Sequence, residues 1–216
     1  MKRYGSPQEI RPSHLILIEM PKKLNPRPRT PAPASFSRGG SPKLIVGLGN
    51  PGLRYRHTYH NAGLLALDHL AKITDAAQFQ PITSRGFSYV RVRETILIRP
   101  LVLMNRAGDA VAAAMRHFRV KPEETLVMHD DADLMVGEYR FAFGRGAAGH
   151  HGVESIVARI GTTHFSRLRI GIRTDAALPR KKAGEFVLRK ISGADMKTLY
   201  GVFGAAIENI KEKESP

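Results

Sequence analysis

The chain has 216 residues, 42% of them hydrophobic, which is enough to bury the core of one domain. Its 34 Lys and Arg against 19 Asp and Glu give a formal net charge of +15, which favours a polyanionic partner, either nucleic acid or an anionic membrane surface. The absence of cysteine excludes disulfides and thiol nucleophiles, and no stretch has the roughly 18 apolar residues of a membrane-spanning helix, so we expect a soluble, cytoplasmic protein with no membrane partner.

Residues 1–42 form a basic, proline-rich segment. They hold eight of the fourteen prolines, and eight Lys or Arg against two acidic residues. Few large apolar side chains are available there to build a core, so we expect a disordered tail in front of a single domain at residues 43–212. The tail's charge suits RNA, although a solvated tail or a start codon placed too early is the more ordinary interpretation.

The stretch from Lys43 to Asn61, KLIVGLGNPGLRYRHTYHN, organises the rest of the chain. Residues 44–46 are apolar and predict a strand buried on both faces. Gly47, Gly49 and Gly52 are expected to let the backbone approach a ligand at the carboxyl end of this strand, where open α/β sheets bind ligands. Asn50 would present an amide with a donor and an acceptor there.

The same three glycines fit the spacing of the dinucleotide fingerprint. That fingerprint requires a helix that opens directly on the glycines and an acidic residue about 20 residues later. Here residues 51–55 indicate a turn and a loop, and the nearest acid, Asp68, falls inside a predicted helix. We therefore expect no nucleotide cofactor.

The later segments alternate between strand and helix patterns. They predict an α/β fold with one twisted, mostly parallel central sheet and helices on both faces. Strands are predicted at residues 87–93, 96–98, 125–128, 139–143 and 168–172, and helices at 62–73, around 111–118, at 153–160 and from 195 onward. The strands at 87–93 and 96–98 are neighbours and suggest a hairpin, and the last helix is expected to pack on the core.

Polar residues follow several of these strands. Asn105 falls in a loop after a strand, where functional residues are commonly held, although a turn role is also open. Asp130, Asp131 and Asp133 follow the strand at 125–128, and three such carboxylates suit either Mg²⁺ or a solvated turn.

Two further features suit an anion. The glycine-rich run at residues 144–152 precedes a helix, and its backbone N–H groups suit a phosphate or a developing oxyanion. Arg167, Arg169 and Arg173 alternate with apolar residues and so share one strand face. Such arginines are usually solvated, but beside a phosphate they would form a clamp. Residues 179–182 add a basic loop.

Four blocks, in this order, resemble the bacterial-type peptidyl-tRNA hydrolases over roughly residues 43–190. They are LIVGLGNPG with Tyr55 and TYHN at 58–61; LMN at 103–105; His129-Asp130 with Asp133 and Gly137; and Gly149-His150 followed by FSRLRIG at 165–171. The resemblance implies hydrolysis of the ester bond between peptide and tRNA, which recycles tRNA from stalled or aborted translation. It also implies a monomer without cofactor or metal ion, whose partner is peptidyl-tRNA at its acceptor stem and 3′ end.

The resemblance assigns roles to individual residues. Asp130 would accept the imidazole N–H of His60, fix its tautomer and stabilise the imidazolium. The expected catalytic residues are His60, Asp130 and Asn50, and the expected substrate-binding residues are Tyr55, Asn105, His150 and His151. In the family, the arginine matching Arg169 and a lysine grip the 5′ phosphate of the tRNA. Ala142 occupies that lysine's position, so the expected tRNA-binding residues are Arg140, Arg145 and Arg169.

This chain departs from the family pattern at three further positions. His151 replaces a substrate-binding Asn, Ala147 replaces a frequent His, and Ala107 replaces a hydroxyl residue. His151 can still donate a hydrogen bond.

The residues alone favour a general base that acts on water. The chain has no Gly-x-Ser-x-Gly and no His-Glu-x-x-His, which leaves a His, an Asp and Asn side chains at the ends of buried strands. Two alternatives stay open. One is a catalytically weakened RNA-binding protein on the same fold, and the other is a small-molecule esterase whose charge is incidental.

Overall fold

The structure, a computed structural model, describes residues 41–174 and 183–211. The predicted tail, apart from its last two residues, and the basic loop at 179–182 lie outside these ranges. Within them the chain forms seven strands, β1 Leu44–Gly47, β2 Gln80–Ile82, β3 Phe87–Val92, β4 Thr95–Pro100, β5 Thr125–Met135, β6 Tyr139–Phe143 and β7 Ser166–Arg173. The five helices are α1 Ala62–Ile73, α2 Ala107–Phe118, α3 His151–Ile160, α4 Ala183–Phe186 and α5 Gly193–Lys211.

The seven strands form one sheet in the order β2-β3-β4-β1-β5-β7-β6. The four central strands β4, β1, β5 and β7 are parallel to one another, whereas β3 and β6 run antiparallel to their neighbours. The prediction of a mostly parallel sheet is confirmed. The predicted hairpin is also confirmed, because β3 pairs with β4 and places Phe87 opposite Pro100.

Helices cover both faces of the sheet, as predicted. Alternate side chains of β1 enter two separate hydrophobic clusters, Ile45 on one face and Leu44 and Val46 on the other. The first cluster packs against α1 and α5, and the second against α2 and α3. Leu199 and Phe203 of α5 are fully buried, so the last helix is part of the core.

The glycines after β1 serve a close contact between the strand and α1. An ideal Cβ on Gly47 would lie 2.6 Å from the Cβ of Leu67, and one on Gly49 would lie 2.8 Å from the Cβ of Leu64. The expectation that these two glycines bring the backbone to a ligand was wrong, because the space beside them is filled by α1. Gly52 does stand in open space, with a φ of +97° that favours glycine in a turn.

Several elements differ from the prediction. β5 continues to Met135, so the acidic residues that were expected after the strand lie within it. β2 is a three-residue edge strand that the sequence pattern did not predict, because Pro81 argues against a strand except at an edge. Helix α3 begins two residues early, at His151. Among the described helices, none is both long and apolar enough to cross a lipid bilayer.

Candidate functional site

A cavity of about 480 Å³ opens at the carboxyl ends of β1 and β4, beside the middle of β5. The site residues predicted as catalytic or substrate-binding all line it: Asn50, Tyr55, His60, Asn105, Asp130, His150 and His151. The sheet explains this convergence, since the carboxyl ends of parallel strands meet at one edge. Arg140, Arg145 and Arg169 are not among the lining residues.

His60 and Asp130 form a buried, hydrogen-bonded pair. The Nδ1 of His60 lies 2.9 Å from Oδ1 and 3.1 Å from Oδ2 of Asp130. A carboxylate only accepts, so Nδ1 carries the proton, and Nε2 is left with its lone pair. Burial lowers the pKa of His60, but the charge and hydrogen bond of Asp130 outweigh burial and raise it above its ordinary value. The ring is therefore a stronger base than a histidine buried alone.

His150 holds Asp130 from the other side. Its Nδ1 accepts the backbone N–H groups of Gly152 at 3.1 Å and Val153 at 3.2 Å, and so caps the start of α3. Its Nε2 must then carry the proton, which it donates to Oδ1 of Asp130 at 2.9 Å. Both ring nitrogens are engaged within the protein, so any contact of His150 with a substrate would use its ring carbons.

Asp130 stays ionised at the centre of this arrangement. Burial alone would raise its pKa, but His150 and His60 lower it well below the ordinary range. His60, Asp130 and His150 also place one possible metal-ligand atom each within 4.8 Å of one another. Hydrogen bonds between the three side chains already account for those atoms, so the arrangement fits a hydrogen-bonded triad. The magnesium alternative would need Asp131 beside Asp130 and Asp133 at one ion, but the Asp131 carboxylate pairs with Arg169.

Asn50 is fixed by three hydrogen bonds. The side chain of Asn61 makes two hydrogen bonds to the backbone of Asn50. Its Oδ1 accepts from the Asn50 N–H at 2.8 Å, and its Nδ2 donates to the Asn50 carbonyl at 3.0 Å. The Oδ1 of Asn50 accepts the backbone N–H of Met104 at 2.8 Å, which settles the orientation of the amide. Only the Nδ2 donor remains, and none of the described residues accepts from it. The side chain thus presents a donor, not the donor and acceptor predicted.

The other predicted substrate-binding side chains lie at the rim of the cavity. Asn105 is exposed in a single helical turn, Met104–Arg106, directly before α2. Tyr55 is half-buried in the loop after β1. The side chain of His151 is 75% exposed and its Nδ1 lies 3.1 Å from Oε2 of Glu154. These groups are open to the cavity and contribute little to the core.

A segment that sequence reasoning did not assign holds the turn that carries His60. The His60 N–H donates to the Val187 carbonyl at 2.8 Å, and the Tyr59 N–H donates to the Arg189 carbonyl at 3.2 Å. The Tyr59 hydroxyl donates to Asp195 at 2.6 Å, and burial, together with Asp195, raises the pKa of Tyr59 to about 12. The turn is thereby tied to both Val187 and α5.

The predicted tRNA-binding arginines lie on β6, β7 and the loop that follows β6. Arg140 and Arg169 are directly opposite each other in the β6–β7 register, so their side chains share one face of the sheet. Arg140 and Arg145 are exposed, while Arg169 is partly buried and its Nε donates to Asp131 at 2.5 Å. Arg167, for which the sequence left either a solvated side chain or a phosphate clamp open, is only 2% exposed and donates to the Gly146 carbonyl at 3.0 Å.

His129 also lines the cavity, although no role was predicted for it. Its Nδ1 donates to the Asp130 carbonyl at 2.7 Å. Its Nε2 is buried and has no hydrogen-bond partner among the described residues. The pKa of His129 lies well below its ordinary range, mainly because the ring is buried and also because His150 is close. The ring is therefore neutral. His129, Asn61 and Asp131 all stood inside the recognised blocks. Asn61 and His129 bind near neighbours in the chain, Asn50 and Asp130, whereas Asp131 pairs with Arg169, which lies in a distant segment.

The comparisons with known proteins agree on one family. A family model described as peptidyl-tRNA hydrolase matches residues 44–214. The chain is 36% identical over 172 residues to a peptidyl-tRNA hydrolase of Caldicellulosiruptor saccharolyticus, which covers 78% of this chain and 88% of that protein. It is 40% identical over 177 residues to one of Symbiobacterium thermophilum, with 78% and 90% covered.

The fold agrees as well. The crystal structure of peptidyl-tRNA hydrolase from Acinetobacter baumannii superposes with a TM-score of 0.74 at 30% identity, and the match covers 82% of this chain and 90% of that one. Sequence, fold and the cavity at the strand ends lead to the same assignment. The chain belongs to the peptidyl-tRNA hydrolase family.

Proposed function

We propose that this protein hydrolyses the ester bond between the peptide and the tRNA in peptidyl-tRNA, using a water molecule that His60 activates. The observation that carries the proposal is the His60–Asp130 pair in an open cavity, with Nδ1 2.9 Å from the carboxylate and Nε2 left as a base. Membership of the family supplies the class of substrate. The product tRNA is then free to return to translation.

The reaction follows from the groups in the cavity. Nε2 of His60 takes a proton from water, and the oxygen of that water attacks the ester carbonyl carbon. The Nδ2 group of Asn50 donates to the oxyanion that develops on the carbonyl oxygen. The bond to the ribose oxygen then breaks, and the imidazolium returns its proton to that oxygen. Asp130 stabilises the imidazolium between the two proton transfers.

The peptide is assigned to the rim on the Asn105 side. Asn105, His151 and Tyr55 supply polar groups there, while Leu103 and Leu188 are about half exposed and offer apolar contact to peptide side chains. A rim that combines polar side chains with apolar contact suits a peptide of variable sequence. His151 replaces the family's usual Asn; its Nδ1–H is directed to Glu154, so the neutral ring offers Nε2 as an acceptor at that position.

The tRNA is assigned to the face of β6 and β7. Arg140 opposite Arg169 restores a two-cation arrangement where Ala142 removes the family's lysine, and Arg145 adds a third cation nearby. Arginine binds phosphate oxygens through two parallel N–H donors, so this face suits the acceptor stem and its 5′ phosphate. The protein acts on this substrate as a monomer.

The deciding experiment compares wild type with His60→Ala on N-acetyl-aminoacyl-tRNA. We expect the variant to lose the rate by a factor of about 10² to 10⁴, the usual contribution of a general base. His69→Ala is the matched control, because His69 lies on α1 and does not line the cavity. Equal background rates in wild type and His60→Ala would reject the enzyme and leave a non-catalytic RNA-binding protein.

A second measurement separates the tRNA hydrolase from a small-molecule esterase. Turnover of the tRNA ester should slow steeply as the salt concentration rises, because salt cations compete with the protein's Lys and Arg for the tRNA phosphates. Turnover of a short aminoacyl ester should be far slower than that of the tRNA ester. Salt-independent turnover with no preference for the tRNA ester would favour the small-molecule esterase.

A further inference from the structure

Two arginines on the same face of β7 have different surroundings. Arg167 turns inward and is almost fully buried, and its Nη1 group ties down the glycine-rich loop through the Gly146 carbonyl at 3.0 Å. Arg169, two residues later, is 23% exposed at its side chain. Arg169 therefore keeps part of its side chain accessible, on the strand face that it shares with the exposed Arg140 of β6.

The direction of the Arg169 side chain is set by Asp131. Oδ2 of Asp131 accepts from Nε of Arg169 at 2.5 Å, and Asp131 is 8% exposed. The other oxygen, Oδ1, accepts the backbone N–H of Asp133 at 2.8 Å, so the carboxylate is held at both ends. None of the described residues accepts a hydrogen bond from the two Nη groups of Arg169. Those groups are the pair that binds a phosphate bidentately.

We propose that Asp131 is a positioning residue for tRNA binding, which holds Arg169 by its Nε so that both Nη groups face a phosphate of the substrate. The inference rests on the proposed function and extends it to a residue of β5 whose neighbour, Asp130, has a separate task. One strand thus orients two functional side chains, the catalytic imidazole through Asp130 and the phosphate-binding guanidinium through Asp131.

Charge alone and positioning predict opposite effects of Asp131 on tRNA binding. A carboxylate beside a phosphate site repels the ligand, so removal of its charge should strengthen tRNA binding if charge alone mattered. Positioning predicts the opposite result. Without Asp131 the guanidinium loses its anchor, is free to rotate, and must lose side-chain entropy when it binds a phosphate.

The experiment is a double-mutant cycle with Asp131→Asn, Arg169→Ala and the double variant. KM and kcat are measured on N-acetyl-aminoacyl-tRNA, and the dissociation constant is measured for deacylated tRNA. A minimal substrate, N-acetyl-aminoacyl adenosine, lacks the phosphates and reports on the catalytic groups alone. Glu138→Gln is the charge control, because exposed Glu138 in the β5–β6 turn contacts the Met135 N–H and not Arg169.

We expect Asp131→Asn to raise KM for the tRNA ester about tenfold, the size of one charge-assisted hydrogen bond, with kcat and the minimal substrate unchanged. When Arg169 is already alanine, Asp131→Asn should not raise KM further. Glu138→Gln should leave KM unchanged. An unchanged or lower KM, or an added loss in the Arg169→Ala background, would overturn the proposal. If wild type hydrolyses no ester at all, the proposed function fails, and the same cycle in tRNA dissociation constants still decides the role of Asp131.

Discussion

The imidazole of His60 and the carboxylate of Asp130 meet through hydrogen bonds of 2.9 and 3.1 Å, although 70 residues separate them in the chain. The short helical turn Tyr59–Asn61 supplies the ring, and the middle of β5 supplies the carboxylate. Because His150 also donates a hydrogen bond to Asp130, the His60–Asp130 pair has a fixed geometry before any substrate binds. This fixed geometry makes the protonation of His60 depend on Asp130.

The rate should rise with pH as His60 loses its proton, because only the neutral ring accepts a proton from water. Asp130 raises the pKa of His60, so the half-maximal rate of wild type should lie above pH 6.5, the ordinary histidine value. In Asp130→Asn the lowering effect of burial is no longer opposed, and the half-maximal pH should fall below that value. The maximal kcat should fall by a factor of about 10² to 10⁴.

The pH profile of kcat from pH 5 to 9 measures both effects. Asp109→Asn on α2 is the control, since it removes a carboxylate that pairs with Arg106 and Arg159, and none of these three residues lines the cavity. A half-maximal pH that stays the same in Asp130→Asn would contradict the assignment of His60 as the titrating base.

His150 should contribute separately to stability and to catalysis. Its Nδ1 caps α3, and loss of such a cap costs about 1 kcal/mol of unfolding free energy, so His150→Ala should be destabilised by roughly that amount. His150→Asn should keep most of the stability, because Asn is among the best capping residues. Both variants should lose kcat, since neither reaches Asp130 as the imidazole does.

Urea unfolding and kcat measured on the same samples separate the two effects. Equal destabilisation of the Asn and Ala variants would show that capping is not what His150 supplies to the fold.

Local patterns in the sequence were sufficient to predict much of the fold. Apolar runs predicted the central strands, and helical spacing predicted α1 and α5 within a few residues, because these features depend on near neighbours in the chain. The location of Asn50, His60 and Asp130 at one edge of the sheet followed from parallel strands. The roles proposed for them came from the resemblance, and their geometry is compatible with those roles.

The contacts made through tertiary packing were not predictable in the same way. The glycines after β1 looked like a ligand loop, yet their neighbour is α1, which the pattern of β1 alone does not reveal. His150 looked like a substrate ligand, but helix α3 and Asp130 use both of its nitrogens. Arg167 shares the periodicity of Arg169 and has a different environment, because the Gly146 loop folds over only one of them.

The packing of α1 against the sheet should make Gly63 intolerant of any side chain. An ideal Cβ there would lie 2.1 Å from the carbonyl oxygen of Met128, a backbone atom that cannot move aside. Gly63→Ala should therefore lower the free energy of unfolding by about 1–3 kcal/mol or more. Gly204→Ala in α5 is the matched control, since an ideal Cβ on Gly204 would meet no atom within 4 Å.

The control should be stabilised by roughly 0.5–1 kcal/mol, because alanine favours a helix more than glycine does. Denaturant unfolding of the three proteins gives both values. Similar stabilities for Gly63→Ala and wild type would mean that α1 is further from β5 than the structure places it.

Salt dependence should identify the arginines that contact phosphate. Each phosphate contact adds about 0.9 to the slope of log affinity against log salt concentration on duplex nucleic acid, so removal of one cation should flatten that slope by about 1. We expect this for Arg169→Ala and for Arg140→Ala, which faces it across the β6–β7 register. Arg91→Ala is the control, because Arg91 is an exposed arginine on β3, near the opposite edge of the sheet. Filter binding of tRNA between 50 and about 300 mM salt measures the slopes. If Arg91→Ala flattened the slope as much as Arg169→Ala, the positive charge would act diffusely, and the phosphate site on β6 and β7 would be rejected.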